Sequence, residues 1–168
     1  MNDTKQLLAK YQPKGILVDT NILLLWTVGT ANPERIQRFN RTEKFSIDDF
    51  QRLQSVLGRF TRRLTTPHIL TEVYNFTNQL GSPDRERALA GLAAATQNLL
   101  EERWDLASKL TQSPKFKYFG LTDIGIEVAA ADQELLVLTD DFKLCSHLWS
   151  VGVDVVNFNN LRFSIPKL

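Results

Sequence analysis

Short runs of branched apolar residues alternate along this chain with longer stretches in which apolar positions recur every three or four residues. Ile16, Leu17 and Val18 carry nothing polar among them and predict a strand, about 15–19, buried on both faces. Asp19 closes that run, Thr20 and Asn21 read as a turn or helix cap, and Ile22 to Trp26 open a helix of about eight residues ending near Gly29. The pattern repeats at Leu135 to Leu138, a second apolar strand that runs into Thr139, Asp140 and Asp141. A third strand is predicted over 151–156, then a turn at 157–160 and an apolar tail over 161–168.

The segments between the strands read as helices. A short one over 2–14 carries Leu7, Leu8 and Tyr11 and is stopped by Pro13. Residues 32–40 suggest a turn or two with Ile36 and Phe39 facing inward. Ser46 and Asp49 have capping-box spacing ahead of an amphipathic helix at about 47–60. Thr65 to Pro67 breaks the pattern, and helices follow over about 68–80 and 83–100, the latter continuing or kinking toward Trp104 and Leu110. The aromatic stretch 115–121 reads as a loop, with Thr122 capping a helix over 123–132 and another helix over 142–149. Strands alternating with helices predict a parallel sheet covered on both faces, an α/β fold.

Composition narrows the class. A chain of 168 residues with 43% apolar content suits one well-buried domain spanning 1–168. A net charge of +1 offers no global basic field, so a polyanion site would be a local patch. The single cysteine, Cys145, excludes an internal disulfide and a cysteine-rich zinc site, and reads as core. The polar start and the lack of a long apolar window predict a protein with no membrane span, expected in the cytoplasm.

The chemistry on offer is acidic. Asp19 and Asp141 follow apolar strands, Glu72 lies inside an amphipathic helix, and Asp123 stands in the first turn of another. A carboxylate at the carboxyl end of a buried parallel strand stands where open α/β sheets bind ligands. Taken singly, each has a plainer reading: Asp19 and Asp123 as helix-terminal charges, Glu72 as a solvated residue, Asp140 and Asp141 as an ordinary turn. Taken together, an all-oxygen set selects a hard ion, Mg²⁺ or Mn²⁺. Such ions activate water and stabilise phosphoryl charge, and crowded carboxylates raise one another's pKa.

Four segments, ILVDTNILL at 16–24, TPHILTEVYN at 66–75, GLTDIGIEVAA at 120–130 and LVLTDDFKL at 136–144, resemble in order the motifs of the PIN domain family of metal-dependent nucleases. The resemblance spans about 15–157. It implies a three-layer α/β/α domain with a mostly parallel sheet of four to five strands and a helical elaboration at about 30–63. It also implies catalytic and metal-binding roles for Asp19, Glu72, Asp123 and Asp141, with Asp140 as the alternative fourth acid. Thr20, Asn21, Asn75 and Thr139 become polar neighbours that fix carboxylates or waters. The implied activity is hydrolysis of RNA phosphodiester bonds by a metal-activated water, with DNA left open as an alternative. For members that are toxins of toxin-antitoxin pairs, it implies an antitoxin partner and a homodimer.

Positive charge for phosphate contacts is sought in Arg52, Arg59, Arg62 and Arg63, which equally suit the solvated side of an amphipathic helix. His68 reads as a cap-region residue, and the three tryptophans as core or interface. Two other functions compete: a Mg²⁺-dependent phosphatase-like hydrolase, and a catalytically inactive PIN-like module that binds RNA or regulates. A phosphoaspartate mechanism normally places a second aspartate two residues after the nucleophile, and Asn21 occupies that position.

Overall fold

The computed structural model describes residues 4–164, so the first residues of the helix expected over 2–14 and the end of the apolar tail lie outside it. Five strands, β1 (Ile16–Val18), β2 (Arg63–Thr65), β3 (Glu101–Glu102), β4 (Leu136–Thr139) and β5 (Val155–Asn157), form one sheet in the order β3-β2-β1-β4-β5. Every neighbouring pair is parallel. The strands β1, β4 and β5 are buried throughout, as strands covered by helices on both faces must be. The α/β class, the layered architecture and the parallel sheet expected from the sequence are all present.

Nine helices are described: α1 (Thr4–Tyr11), α2 (Thr20–Ala31), α3 (Ile47–Leu57), α4 (Pro67–Thr77), α5 (Asp84–Asn98), α6 (Ala107–Leu110), α7 (Phe116–Gln133), α8 (Phe142–Ser150) and α9 (Phe158–Ser164). Pro33–Arg38 forms a 3-10 segment, with Ile36 and then Phe39 buried as the spacing predicted. The capping box also forms. Ser46 Oγ accepts from the Asp49 amide at 3.1 Å, and Asp49 Oδ2 accepts from the Ser46 amide at 2.8 Å. Helix α2 is twelve residues long rather than eight, and Ile22, Leu23, Leu24, Leu25 and Val28 are all buried. A helix apolar on every side belongs inside a core, and α2 packs against α3, α4 and α5.

Close packing of α2 requires Gly29. A Cβ there would lie 2.4 Å from Phe50 Cδ2, so any side chain drives into the α3 ring. Gly29→Ala should cost about 1–3 kcal/mol in urea unfolding, and Phe50→Leu in the same chain should recover part of it.

Several local expectations are corrected. Residues 63–65 and 101–102 are strands, where the sequence reads as a helix break and as the continuation or kink of the helix over 83–100. The stretch 115–121 is not a loop: it belongs to α7, which bends at Gly120 (φ 75°, ψ −175°). Thr122 therefore caps nothing; its hydroxyl goes to Glu72. The turn expected at 157–160 is the end of β5 and the start of α9, and the third predicted strand shortens to 155–157. No helix among the described residues is long and apolar enough to cross a membrane.

Candidate active site

The sheet order creates one privileged crevice. From β1 the chain moves to β2 and β3 on one side, then returns to β4 and β5 on the other, so the connection direction reverses between β1 and β4. Ligands of open α/β sheets bind outside the carboxyl ends at such a switch point. Val18 pairs with Leu138, and the Asp19 amide donates to the Leu138 carbonyl at 3.0 Å, which sets Asp19 and Thr139 side by side at that crevice.

Asp19 is buried and N-caps α2. Its Oδ1 accepts from the Thr20 amide at 2.6 Å and its Oδ2 from the Thr139 hydroxyl at 2.5 Å. Burial, with smaller contributions from the charges of Asp140 and Asp141, pushes its pKa up to about 6 against the pull of these two bonds. The plain reading of Asp19 as a helix cap is therefore present in the structure.

Glu72 arrives from α4. Its Oε2 accepts from the Thr20 hydroxyl at 2.7 Å and its Oε1 from the Thr122 hydroxyl at 2.6 Å, which pins the carboxylate between α2 and α7. Asp123 stands on α7 just past the Gly120 bend. It makes no hydrogen bond or ion pair among the described residues. Burial first, and then the charges of Asp19, Asp141 and Glu72, raise its pKa to about 7, with Lys143 opposing them. Four carboxylates from four elements are therefore within electrostatic reach of one another.

Asp140 and Asp141 differ in surroundings. Asp140 forms an ion pair with Lys44 and accepts from Asn21 Nδ2 at 3.1 Å, so its charge is locally compensated. Asp141 N-caps α8 through Oδ1, which accepts from the Lys143 and Leu144 amides at 2.6 and 3.0 Å. Its own amide donates to Thr139 Oγ1 at 3.0 Å. Thr139 is thus the hinge between the two strand-end acids. Thr139→Val should move the Asp19 carboxyl above about 6, since the lost bond is one that lowers it, and should destabilise the fold by about 1–3 kcal/mol. Carboxyl-carbon NMR titration and urea unfolding measure the two effects.

Among the described residues, no group of three or more His, Cys, Asp or Glu forms a ready-made chelate. The donor chemistry nevertheless fits a hard divalent ion. The oxygens of Asp19 and Glu72 each accept one hydrogen bond and keep a lone pair, and Asp123 is unpartnered.

The predicted arginines are not gathered at this site. Arg62 and Arg63 lie at the amino ends of β1 and β2, opposite the acids. Arg62 forms a bidentate pair with Glu101, and Arg63 donates to the Leu57 carbonyl at 2.9 Å. Arg52 reaches the Leu161 carbonyl, and Arg59 is exposed beyond the end of α3. Asn75 is exposed on α4 without a hydrogen bond among the described residues. Cys145 is core, its thiol pushed up to about 11 by burial. Trp26 packs on the core, whereas Trp104 and Trp149 are exposed. Lys44, Thr122 and Lys143 are the site residues that sequence reasoning missed. Of these, Thr122 and Lys143 carried a signal, since they lie within the third and fourth motifs, whereas Lys44 carried none.

No protein-family model matches the chain, and no curated protein matches it. Among solved structures it is similar to a domain of a functionally unknown protein from Methanocaldococcus jannaschii, at 14% identity and a TM-score of 0.45, covering 85% of this chain and 89% of that one.

Proposed function

We propose that this protein is a divalent-metal-dependent endoribonuclease of the PIN type. The observation that carries the reading is Asp123, an unpartnered carboxyl raised to about 7 by burial and by Asp19, Asp141 and Glu72 around it. Such convergence costs stability and marks a functional site more often than a structural one. Asp19, Asp123 and Asp141 would hold Mg²⁺ or Mn²⁺, which supplies charge stabilisation at phosphoryl oxygens and a nucleophilic water at neutral pH. Glu72, fixed by two threonine hydroxyls, would accept a hydrogen bond from a water at the acids and orient it. Asp140, compensated by Lys44 and Asn21, positions its neighbours instead of binding the ion.

RNA as substrate rests on the ordered four-motif resemblance. The phosphatase-like alternative loses support at Asn21, whose amide is committed to Asp140 where a second carboxylate would be needed. If the chain acts as a toxin, an antitoxin would silence it by covering the same acids.

The test is cleavage of a labelled single-stranded RNA with Mg²⁺, with Mn²⁺ and with chelator. Internal cleavage with either metal and none in chelator is expected. Equal cleavage in chelator would overturn the metal mechanism, and hydrolysis of phosphomonoesters with intact RNA would favour the phosphatase. Metal-independent RNA binding without hydrolysis would favour the inactive module.

A further inference from the structure

Two large aromatic side chains stand exposed on the rim of the acidic crevice. Phe142, directly after Asp141, is 68% exposed, and Tyr118, just before the Gly120 bend that leads to Asp123, is 58% exposed. Burial of apolar surface gives neither residue a reason to be there. Lys143 joins them: its Nζ donates to the Tyr118 carbonyl at 2.7 Å and lies 4.7 Å from the centroid of Phe119. Phe119 in turn stacks on the buried His147, centroids 4.2 Å apart and planes inclined by 25°, and His147 Nε2 is 2.7 Å from Glu127 Oε2. The rim therefore rests on a packed base.

The local backbone places it there. At Gly120 the positive φ turns the chain, and a Cβ at that position would meet nothing within 4 Å, so glycine is required for its torsion and not for space. The bend separates the turn that presents Tyr118 from the helix that presents Asp123.

We propose that Phe142 and Tyr118 form a stacking platform for unpaired bases flanking the phosphate bound at the acids, with Lys143 and Lys117 holding the backbone. The occupant is argued from charge as well as from the exposed rings. Lysines alternate with aromatics in Lys115-Phe116-Lys117-Tyr118 and in Phe142-Lys143, and Lys117 Nζ lies 5.0 Å from the Tyr118 centroid. A strand of nucleic acid offers both partners at once, π-faces for the rings and phosphates for the amines, and only unpaired bases expose those faces. The proposal deepens the nuclease reading and rests on it for the position of the scissile phosphate. Phe142 and Tyr118 are positioning residues that touch the flanking bases and not the bond that breaks.

The experiment is binding and cleavage of a single-stranded RNA carrying 2-aminopurine, alongside an abasic version of equal length, with Phe142→Ala, Tyr118→Ala and Phe142→Trp. Binding is measured in chelator and cleavage in Mg²⁺. The alanine variants should weaken binding of the base-bearing strand by about 5-fold or more each, reduce the change in 2-aminopurine fluorescence, and raise KM more than they lower kcat. Affinity for the abasic strand should be unchanged, and Phe142→Trp should bind as the parent does. Unchanged affinity in both alanine variants, or equal loss toward the abasic strand, overturns the platform even where metal-dependent cleavage is intact. Platform-dependent binding without cleavage would leave the platform standing and sink the nuclease reading. Loss of self-association in the variants with RNA binding intact would assign the rings to a protein interface and overturn the proposal.

Discussion

Asp19→Asn is expected to lower divalent-dependent RNA cleavage by roughly 10³-fold, the several kcal/mol of charge stabilisation lost with an ion ligand, while leaving the protein folded. Asparagine is as good an N-cap as aspartate, so the bond from the Thr20 amide survives. The new amide nitrogen faces the Thr139 hydroxyl, which has a second lone pair free after accepting from the Asp141 amide. The substitution also removes a buried charge whose pKa is held at about 6 against an ordinary 3.8. That difference corresponds to about 3 kcal/mol at neutral pH, so the metal-free variant should be more stable than its parent. Urea unfolding in chelator and a cleavage assay on the same preparation give both answers. Retained cleavage would remove Asp19 from the mechanism, and a loss of stability would refute the account of its burial.

The second large effect is the dependence of stability on pH and metal together. Asp19 and Asp123 have folded pKa values of about 6 and about 7, both above their ordinary 3.8. Groups shifted this way bind protons more tightly in the folded chain. The stability they contribute is complete below about pH 4 and is lost as pH rises through 6 and 7. The melting temperature of the metal-free protein should therefore fall between pH 5 and pH 8, by several degrees for a chain of this size. Mg²⁺ or Mn²⁺ should restore more of it at pH 8 than at pH 5, because a cation competes with protons for the same oxygens. Differential scanning calorimetry across that range decides the matter. A flat profile in chelator, or equal metal effects at both pH values, would show that these carboxyls do not share a cation site.

The parts of this site legible in the sequence are those where a strand and an acid are adjacent. The apolar runs of β1 and β4 stop just before acids that cap the next helices, and both stops lie at the switch point. The strands β2 and β3 were not legible, because three residues beginning with Arg63 and two exposed glutamates carry no apolar alternation. Pairing with β1 makes β2 a strand, and pairing with β2 makes β3 one. The same blind spot displaced the arginines: a helical projection groups Arg59, Arg62 and Arg63, but the helix ends at Leu57 and the next residues turn into the sheet. Gly120 reads as a loop signal because glycine marks left-handed torsions, and the torsion is there, but within a helix that resumes at once. Lys44 was invisible as a partner of Asp140, since nothing local relates positions 96 residues apart.

Helix α2 ties these observations together. Its first two residues bond Glu72 and Asp140, and its remaining length fills the interior between α3, α4 and α5. Binding and catalytic residues generally sit on loops, which can be exchanged without disturbing the scaffold. The element that anchors Glu72 and Asp140 here is itself scaffold. Leu24 and Leu25 are fully buried, so even a conservative change there is expected to reach Thr20 and Asn21 at the start of the same helix. Side chains around these acids are therefore most freely redesigned on the other walls, α7 and α8, where Tyr118 and Phe142 are exposed, while the innermost acid stays where the core puts it.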